Sequence, residues 1–260
     1  MNSSKPNLTV GIPVYNGANT LKDTLYSLVN QDYENFQIIV LDNQSQDASA
    51  SVVYSFIEEY PEKHIFLVTA LQQVGDPEGH HEVLSFADTD YYMIACDDDI
   101  YEESYISTLI SILENDPDIV LAYSDMGTIK NDVTSSSTLK DKHIWKNKIS
   151  MRGGLRKALF YRYAIPFQFG IARTQSTRES FQFFNRVTTG RGDHDSLQIL
   201  SMITKGHIFG TRDTMIYYRQ KDRSSDQNKT KSFFSEALSC LRHEVKVKKV
   251  QKKILSEAGL

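Results

Sequence analysis

Three consecutive carboxylates are the residues best suited to chemistry in this chain. Asp97, Asp98 and Asp99 follow the apolar run Tyr91–Ala95, which predicts a short buried strand. Carboxylates this close raise one another's pKa unless a positive group lies among them. Mg²⁺ or Mn²⁺, which take oxygen ligands and are often shared with substrate phosphates, supply that charge. The triplet therefore predicts a divalent-cation site, with an acidic surface turn as the alternative.

Two further polar groups follow other predicted strands. Asn16 comes after the strand predicted over Leu8–Ile12, which Pro13 closes, and Asp42 comes after the apolar strand Phe36–Leu41. Strands and helices alternate over roughly the first half, which predicts an α/β fold with a mainly parallel sheet. Ligands of such sheets bind beyond the carboxyl ends of the strands. We therefore expect these groups and the aspartate triplet to form one site, although Asp42 is also a common turn residue.

The remaining elements are predicted from apolar periodicity and turn residues. Strands are expected at His64–Val68, Ile119–Tyr123, Phe167–Ile171 and Met215–Tyr218. Helices are expected from Asn16 to about Gln31, around residues 52–60 and 106–113, over Leu155–Tyr163, and before a C-cap at Gly206. Loops are expected at Gln72–Gly79 and Asn131–Lys148, and a short helix at His80–Ala87 with His80 and His81 on its surface.

Composition excludes several classes of protein. The 260 residues can bury one sizeable core, and 40% hydrophobic with 24% charged residues is typical of a soluble globular protein. A net charge of -4 argues against a general nucleic-acid binder. Cys96 and Cys240 are not in a metal-binding spacing, which favours a reducing compartment. Because neither a signal peptide nor a long apolar run is recognisable, we expect a cytoplasmic protein.

Five short segments occur in the order and at the spacings of one enzyme family: Val10–Asn16, Leu41–Asp47, Ala95–Ile100, His194–Asp195 and Tyr217–Arg219. Over roughly Leu8–Ser225 the chain resembles the family 2 glycosyltransferases. The resemblance implies a GT-A (Rossmann-like) α/β fold with helices flanking the sheet. It also implies inverting transfer of a sugar from a nucleotide-diphosphate sugar to an acceptor hydroxyl, in bacterial surface polysaccharide or glycoconjugate synthesis.

The resemblance also implies a division of the chain. Residues 1–230 are expected to form the GT-A domain, with a nucleotide-sugar half at 1–125 and an acceptor half at 126–230. Residues 231–260 are expected to form a basic amphipathic helix, which either contacts the inner face of a membrane or a partner, or docks as a solvated terminal helix. The expected partners are a UDP-sugar donor, a saccharide or lipid-linked acceptor and a second copy of the chain.

The family's roles are carried over residue by residue. Nucleotide-sugar contacts are expected from Pro13, Tyr15, Asn16, Asp42, Gln72, Gly75, Asp97, Arg219 and Lys221. Asp98 and Asp99 are expected to bind Mn²⁺ or Mg²⁺, and which of them is the main ligand stays open. Asp195 is expected to be the general base, with a helix cap as its alternative role and Asp193 in reserve. His194 is expected to contact the acceptor.

The chain departs from the family pattern at three positions. Cys96 stands where many members have the first aspartate of D-x-D-D, His194 replaces a glutamate, and Lys221 stands where a histidine is frequent.

Two other functions stay open. A nucleotidyltransferase uses a similar acidic site, although the loop Tyr15–Asn19 lacks the basic residue usual in that class. A non-catalytic nucleotide-sugar binding module is the other.

Overall fold

The computed structural model describes residues 5–130, 168–187, 198, 199, 201, 202, 205–220 and 256. Its strands are β1 (Leu8–Val14), β2 (Phe36–Asp42), β3 (His64–Thr69), β4 (Tyr91–Ile94), β5 (Ile100–Tyr101), β6 (Ile119–Lys130), β7 (Ile171–Arg173) and β8 (His207–Gln220). Its helices are α1 (Ala18–Val29), α2 (Ser49–Glu59), α3 (Asp76–Ser85), α4 (Tyr105–Asn115) and α5 (Thr174–Val187).

The strands form one sheet in the order β3-β2-β1-β4-β7-β6-β8-β5. Strands β3, β2, β1 and β4 are parallel to one another. Strand β7 runs antiparallel to both of its neighbours, β6 and β8 are parallel, and β5 is antiparallel to β8. The α/β fold is thus confirmed, with a parallel half that begins the chain and a mixed half that ends it.

The central strands are buried on both faces, which explains their unbroken apolar sequences. Val10 and Ile12 of β1 and Val40 of β2 are fully buried, and they belong to the largest core cluster. Helix α1 covers this core with four side chains at helical spacing: Leu21, Thr24, Leu25 and Leu28. Burial of each such leucine contributes about 1.5–3 kcal/mol to stability. This packing fixes the start of α1 beside the carboxyl ends of β1 and β2.

Two predicted strands are much longer than the sequence indicated. The expectation of Ile119–Tyr123 was too short, because β6 has 12 residues, and Met215–Tyr218 was too short, because β8 has 14. The two strands pair with each other along their length, with register irregularities at Ile119/Leu121 and Ser124/Asp125. This pairing carries polar residues into the sheet, which a search for apolar runs does not detect.

Other predictions need correction. The strand expected at Phe167–Ile171 lies instead at Ile171–Arg173, and α5, which follows it, was not predicted. The loop expected at Gln72–Gly79 ends early, because α3 begins at Asp76 with a proline in its first turn. His81 is exposed as expected, but His80 is buried.

Several predicted elements lie partly or wholly outside the residues that the structure describes. The loop at Asn131–Lys148 and the helix at Leu155–Tyr163 lie outside the described residues, as does the terminal helix except for Ser256. Residues 198, 199, 201 and 202 are helical, as predicted before Gly206. None of the helices in the described ranges combines the length and the apolar character needed to cross a membrane.

Candidate active site

The aspartate triplet lies in the acidic loop, residues 95–99, which connects β4 to β5. Strand β4 delivers the loop from the parallel half of the sheet, and Ala95 N–H donates to the carbonyl of Gly11 in β1 at 3.0 Å. At the other end, β5 pairs with β8 through Ile100 and Tyr217. Asp98 is 7% exposed and Asp99 is 0% exposed. The loop therefore holds two buried carboxylates between the two halves of the sheet.

Arg219 of β8 anchors the acidic loop. Its Nε donates to the carbonyl oxygen of Asp98 at 2.9 Å, and its backbone N–H donates to Asp99 Oδ1 at 3.1 Å. Its Nη2 donates to Asp23 Oδ2 of α1 at 2.9 Å. Thr24 Oγ1, also on α1, donates to the carbonyl of Asp99 at 2.8 Å. The backbone of the loop is thus fixed from the last described strand and from the first helix.

Asp99 is the most strongly perturbed carboxyl group of the loop. Burial, together with the nearby charge of Asp98, raises the pKa of Asp99 to about 7. Its Oδ2 is buried and, within the described part of the chain, has no hydrogen-bond partner. An unpaired buried carboxylate oxygen is costly unless a proton or a cation satisfies it.

Cys96, Asp98 and Asp99 bring their ligand atoms within 4.8 Å of one another. Two carboxylates and a thiol are oxygen and sulfur donors of the kind that bind divalent metals. The orphaned Oδ2 of Asp99 is the atom that such an ion would satisfy. The residues present therefore fit a divalent cation, and both predicted ligands, Asp98 and Asp99, belong to this cluster.

Asp97 points in a different direction, towards the loop after β1. A Cβ added at Gly17 would overlap Asp97 Oδ2, so glycine there makes room for this carboxylate. Gly17 immediately precedes α1 and follows Asn16, whose φ of 53° is in the left-handed region that asparagine tolerates. Asp97 and Asn16, both predicted nucleotide contacts, are therefore brought to the same loop.

Side chains from the connection between β2 and α2, and from the first residue of α2, accept hydrogen bonds from the backbone at the start of α1. Asn16 N–H donates to Ser45 Oγ at 3.0 Å, Gly17 N–H to Ser49 Oγ at 3.0 Å, and Ala18 N–H to Asp47 Oδ2 at 3.0 Å. Hydrogen bonds, first from Ser49 and then from the backbone, lower the pKa of Asp47. Residues 42–49 thus fix the loop after β1 as well as their own loop.

Asp42 ends β2 at the same edge of the sheet. It is buried, and its Oδ1 accepts from Ser45 N–H at 2.9 Å, which is the turn contact considered as its alternative role. The neighbouring Asn43 makes two hydrogen bonds to the backbone of Val74, donating at 2.8 Å and accepting at 2.9 Å. Asn43 thereby ties the connection before α3, where Gln72 is exposed and Gly75 is half-buried, to this edge.

The other predicted residues divide into three groups. Pro13 is half-buried at the end of β1, and Tyr15 is 47% exposed, so its ring is accessible to a ligand. Arg219 was expected to contact the nucleotide sugar, and in the structure it is buried, with its guanidinium donating to the carbonyl of Asp98 and the carboxylate of Asp23. Four predicted residues lie outside the described residues: the general base Asp195, its reserve Asp193, the acceptor contact His194 and the nucleotide-sugar contact Lys221.

Sequence reasoning missed four residues that build this site. Asp23 and Thr24 hold Arg219 and Asp99, Gly17 admits Asp97, and Cys96 approaches the buried carboxylates. Thr24 could have been recognised, because it is a polar residue on the buried leucine face of α1. The contact between Asp23 and Arg219 could not have been recognised from the local sequence, because the two residues are 196 positions apart.

The chain is similar to known proteins in family, in sequence and in structure. The family model described as Glycosyl transferase family 2 matches residues 9–177. The glycosyltransferase GlyA of Streptococcus pneumoniae is 31% identical over 115 residues, which cover 44% of this chain and 16% of that protein. An uncharacterized glycosyltransferase of Haemophilus influenzae is 25% identical over 185 residues, 70% of this chain and 56% of the relative. The amylovoran biosynthesis glycosyltransferase AmsB of Erwinia amylovora is 31% identical over 108 residues, 41% of this chain and 35% of that protein.

The chain thus spans less than two thirds of each of these relatives. Among solved structures, S. aureus TarS 1-349 in complex with UDP-GlcNAc aligns with a TM-score of 0.62 and 14% identity over 96% of this chain and 71% of that one. The mannosyltransferase PcManGT from Pyrobaculum calidifontis, in complex with GDP-Man and Mn²⁺, aligns with a TM-score of 0.59 and 16% identity over 98% and 76%. At such identities the likeness shows the fold alone.

Proposed function

Because this chain belongs to glycosyltransferase family 2, we propose that it transfers a sugar from a nucleotide-diphosphate sugar to an acceptor hydroxyl with inversion. The single observation that carries the proposal is the acidic loop. Asp97 points to the loop after β1, while Asp98 and Asp99 lie with Cys96 in a cluster that fits a cation. One loop thus offers contacts for a nucleotide on one side and for its diphosphate on the other.

The cation in this proposal is Mn²⁺ or Mg²⁺. When bound, it would act as a Lewis acid that stabilises the charge of the departing diphosphate. The protein's part is to hold Asp98 and Asp99 in place before the donor arrives, which Arg219 and Thr24 do through the loop backbone. The Mn²⁺ in the PcManGT complex supports this part of the proposal, as a fact about that protein.

The donor site in this proposal lies at the carboxyl edge of β1 and β2. Tyr15 packs on the base, and Asp42 with Asp97 contacts the base edge and ribose, with Pro13, Asn16, Gln72 and Gly75 around them. The neighbouring structures bind UDP-GlcNAc or GDP-Man, which supports a nucleotide sugar as the class of donor. We propose a UDP-sugar, and a saccharide or lipid-linked acceptor in surface polysaccharide synthesis, for which the relative AmsB gives support.

The acceptor hydroxyl must lose its proton as it attacks the anomeric carbon. We propose that Asp195 accepts this proton as the general base, with Asp193 as the reserve candidate. We also propose that His194 contacts the acceptor. A positioned carboxylate base contributes about 10²–10⁴-fold to the rate. As the acceptor oxygen bonds to the anomeric carbon with inversion, the bond from that carbon to the diphosphate breaks, the nucleoside diphosphate leaves, and the acceptor proton passes to the Asp195 carboxylate.

A thermal-shift panel of UDP, GDP, CDP and dTDP, each with and without Mn²⁺, tests the donor site. Ligands that bind the native state raise its apparent stability, so the panel identifies the base and tests the metal together. We expect UDP with Mn²⁺ to give the largest shift. Release of the nucleoside diphosphate is then measured with a panel of sugar donors and acceptors.

Three variants accompany the activity assay. Asp98→Asn and Asp195→Asn should each lose at least about 100-fold in turnover, whereas Asp118→Asn, an exposed aspartate before β6, is the matched control and should keep wild-type activity. Equal turnover by all three would show that the site is wrongly assigned. Pyrophosphate as product would instead indicate a nucleotidyltransferase, and tight nucleotide binding without turnover would indicate a binding module.

A further inference from the structure

Cys96 lies at the boundary between the core and the cluster of buried carboxylates. Its side chain is half-buried and packs against the largest core cluster. Its Sγ also lies within 4.8 Å of a carboxylate oxygen of Asp98 and one of Asp99. Bond lengths of about 2.0–2.3 Å place three ligand atoms around one ion roughly 3–4 Å from one another. Side-chain rotations that move these atoms by about 1 Å are therefore enough to bring all three to one ion.

A second observation shows that this cluster is prepared for a ligand. Asp99 is fully buried, its Oδ1 accepts from Arg219 N–H, and its Oδ2 has no partner in the described part of the chain. Arg219 and Thr24 hold the backbone on either side of this carboxylate. The cluster is thus fixed by the protein, with one buried oxygen left to be satisfied.

We propose that the thiolate of Cys96 is a third ligand of this cation site, which consequently binds thiophilic cations such as Co²⁺, Zn²⁺ and Cd²⁺ more tightly than Mg²⁺. The inference rests on the cation site of the proposed function. On binding, the thiol proton passes to solvent and a metal–sulfur bond forms, with no change of oxidation state. Soft thiolate ligands select such cations, whereas Mg²⁺ requires oxygen ligands. The substitution at position 96 therefore sets which metal the site prefers.

Titration of the reduced, full-length protein with Co²⁺ tests the inference. Thiolate bound to Co²⁺ gives a charge-transfer absorption in the near ultraviolet that carboxylate ligands do not give. The chain has only two cysteines, so Cys240→Ser is the matched control for Cys96→Ser. We expect the absorption in the wild type and in Cys240→Ser, and its absence from Cys96→Ser.

Affinities measured in the same titration give the second readout. Cys96→Ser should weaken Co²⁺ binding by about tenfold or more and leave Mg²⁺ binding within about twofold of the wild type. No charge-transfer absorption in the wild type, or the same absorption in Cys96→Ser, would overturn the inference. If Cys96→Ser does not fold, the Co²⁺ absorption of Cys240→Ser is sufficient to test the inference, because Cys96 is the only cysteine left in that variant.

The outcome is separable from the test of the proposed function. Glycosyl transfer with Mn²⁺ but without the thiolate absorption would reject the thiolate ligand and leave the enzyme. The thiolate absorption without nucleotide binding or transfer would establish the metal site and reject the enzyme.

Discussion

Replacing Asp99 by asparagine should stabilise the metal-free protein at pH 8, although it removes a side chain of the candidate cation site. Asn has nearly the same shape, and its Oδ1 can still accept from Arg219 N–H, as Asp99 Oδ1 does at 3.1 Å. What the substitution removes is a buried negative charge whose Oδ2 has no partner among the described residues. A buried charge without a partner destabilises the native state.

The size of the effect follows from the pKa. Burial, with the charge of Asp98, raises the pKa of Asp99 from 3.8 to about 7. Because the folded pKa lies above the unfolded one, the protonated carboxyl stabilises the fold fully below pH 4. That contribution is lost as the pH rises through 7. Between pH 5 and pH 8 the wild type should lose about 2–3 kcal/mol in its free energy of unfolding that Asp99→Asn does not lose.

Urea unfolding in the presence of a chelator, followed by circular dichroism from pH 5 to pH 8, measures this difference. At each pH, the free energy of unfolding of the variant is subtracted from that of the wild type. This difference cancels the contributions of the other titrating groups, including the seven histidines. Asp99→Asn should be the more stable protein at pH 8 by at least about 1 kcal/mol, and the advantage should vanish or reverse at pH 5. Asp118→Asn, on the exposed surface, should show neither change.

Adding Mn²⁺ completes the experiment. At 100 times its dissociation constant, Mn²⁺ should raise the free energy of unfolding of the wild type by about 2.7 kcal/mol, and it should leave Asp99→Asn unaffected. A difference between wild type and variant that stays constant from pH 5 to pH 8 would refute the argument that Asp99 is destabilised by burial.

Three further substitutions probe the parts that hold the loop. Gly17→Ala should displace Asp97 and raise the KM for the donor without unfolding the protein, because the added methyl overlaps that carboxylate. Asp118→Asn, on the exposed surface, is the control in the same kinetic assay. Arg219→Lys should weaken Mn²⁺ binding in calorimetry and lower the free energy of unfolding by about 1–3 kcal/mol, since a lysine cannot reproduce all the contacts of the guanidinium. Asp47→Ala removes an acceptor at the start of α1 and should cost about 0.5–2 kcal/mol in urea unfolding, and unchanged stability would show that the contact is replaced by water.

The sequence predicted the parallel half of the fold well, because strands that are buried on both faces have a continuous apolar sequence. Strands such as β2 must be apolar along their whole length, and that pattern is visible without knowledge of their neighbours. Helix α5 has no comparable apolar pattern in its sequence. It is a polar segment in which Phe181 packs into a small core cluster with residues of α3 and β4, so its helical state depends on tertiary packing.

The candidate site was predictable in its residue types but not in their connections. Asp97, Asp98 and Asp99 follow a buried strand, and this order alone indicated a site at the sheet edge. The sequence does not show which way the side chain of Arg219 points, because alternate residues of a strand face opposite sides and β8 pairs with strands from distant parts of the chain. The expected nucleotide-sugar contact of Arg219 came from the family resemblance, whereas its hydrogen bonds to Asp23 and to the acidic loop depend on the fold.

The hydrogen bonds at the beginning of α1 have a consequence for the cation in the proposed function. In dinucleotide-binding sheets, the helix after the first strand receives a pyrophosphate on its free N–H groups and its positive dipole. Here the N–H groups of Gly17 and Ala18 already donate to Ser49 and Asp47, and the carboxylate of Asp47 offsets the dipole. An anion at this helix would meet a negative charge instead of a positive one. These two N–H groups are therefore not free to bind a phosphate, and the diphosphate of the proposed donor would need a positive charge from the side of the acidic loop.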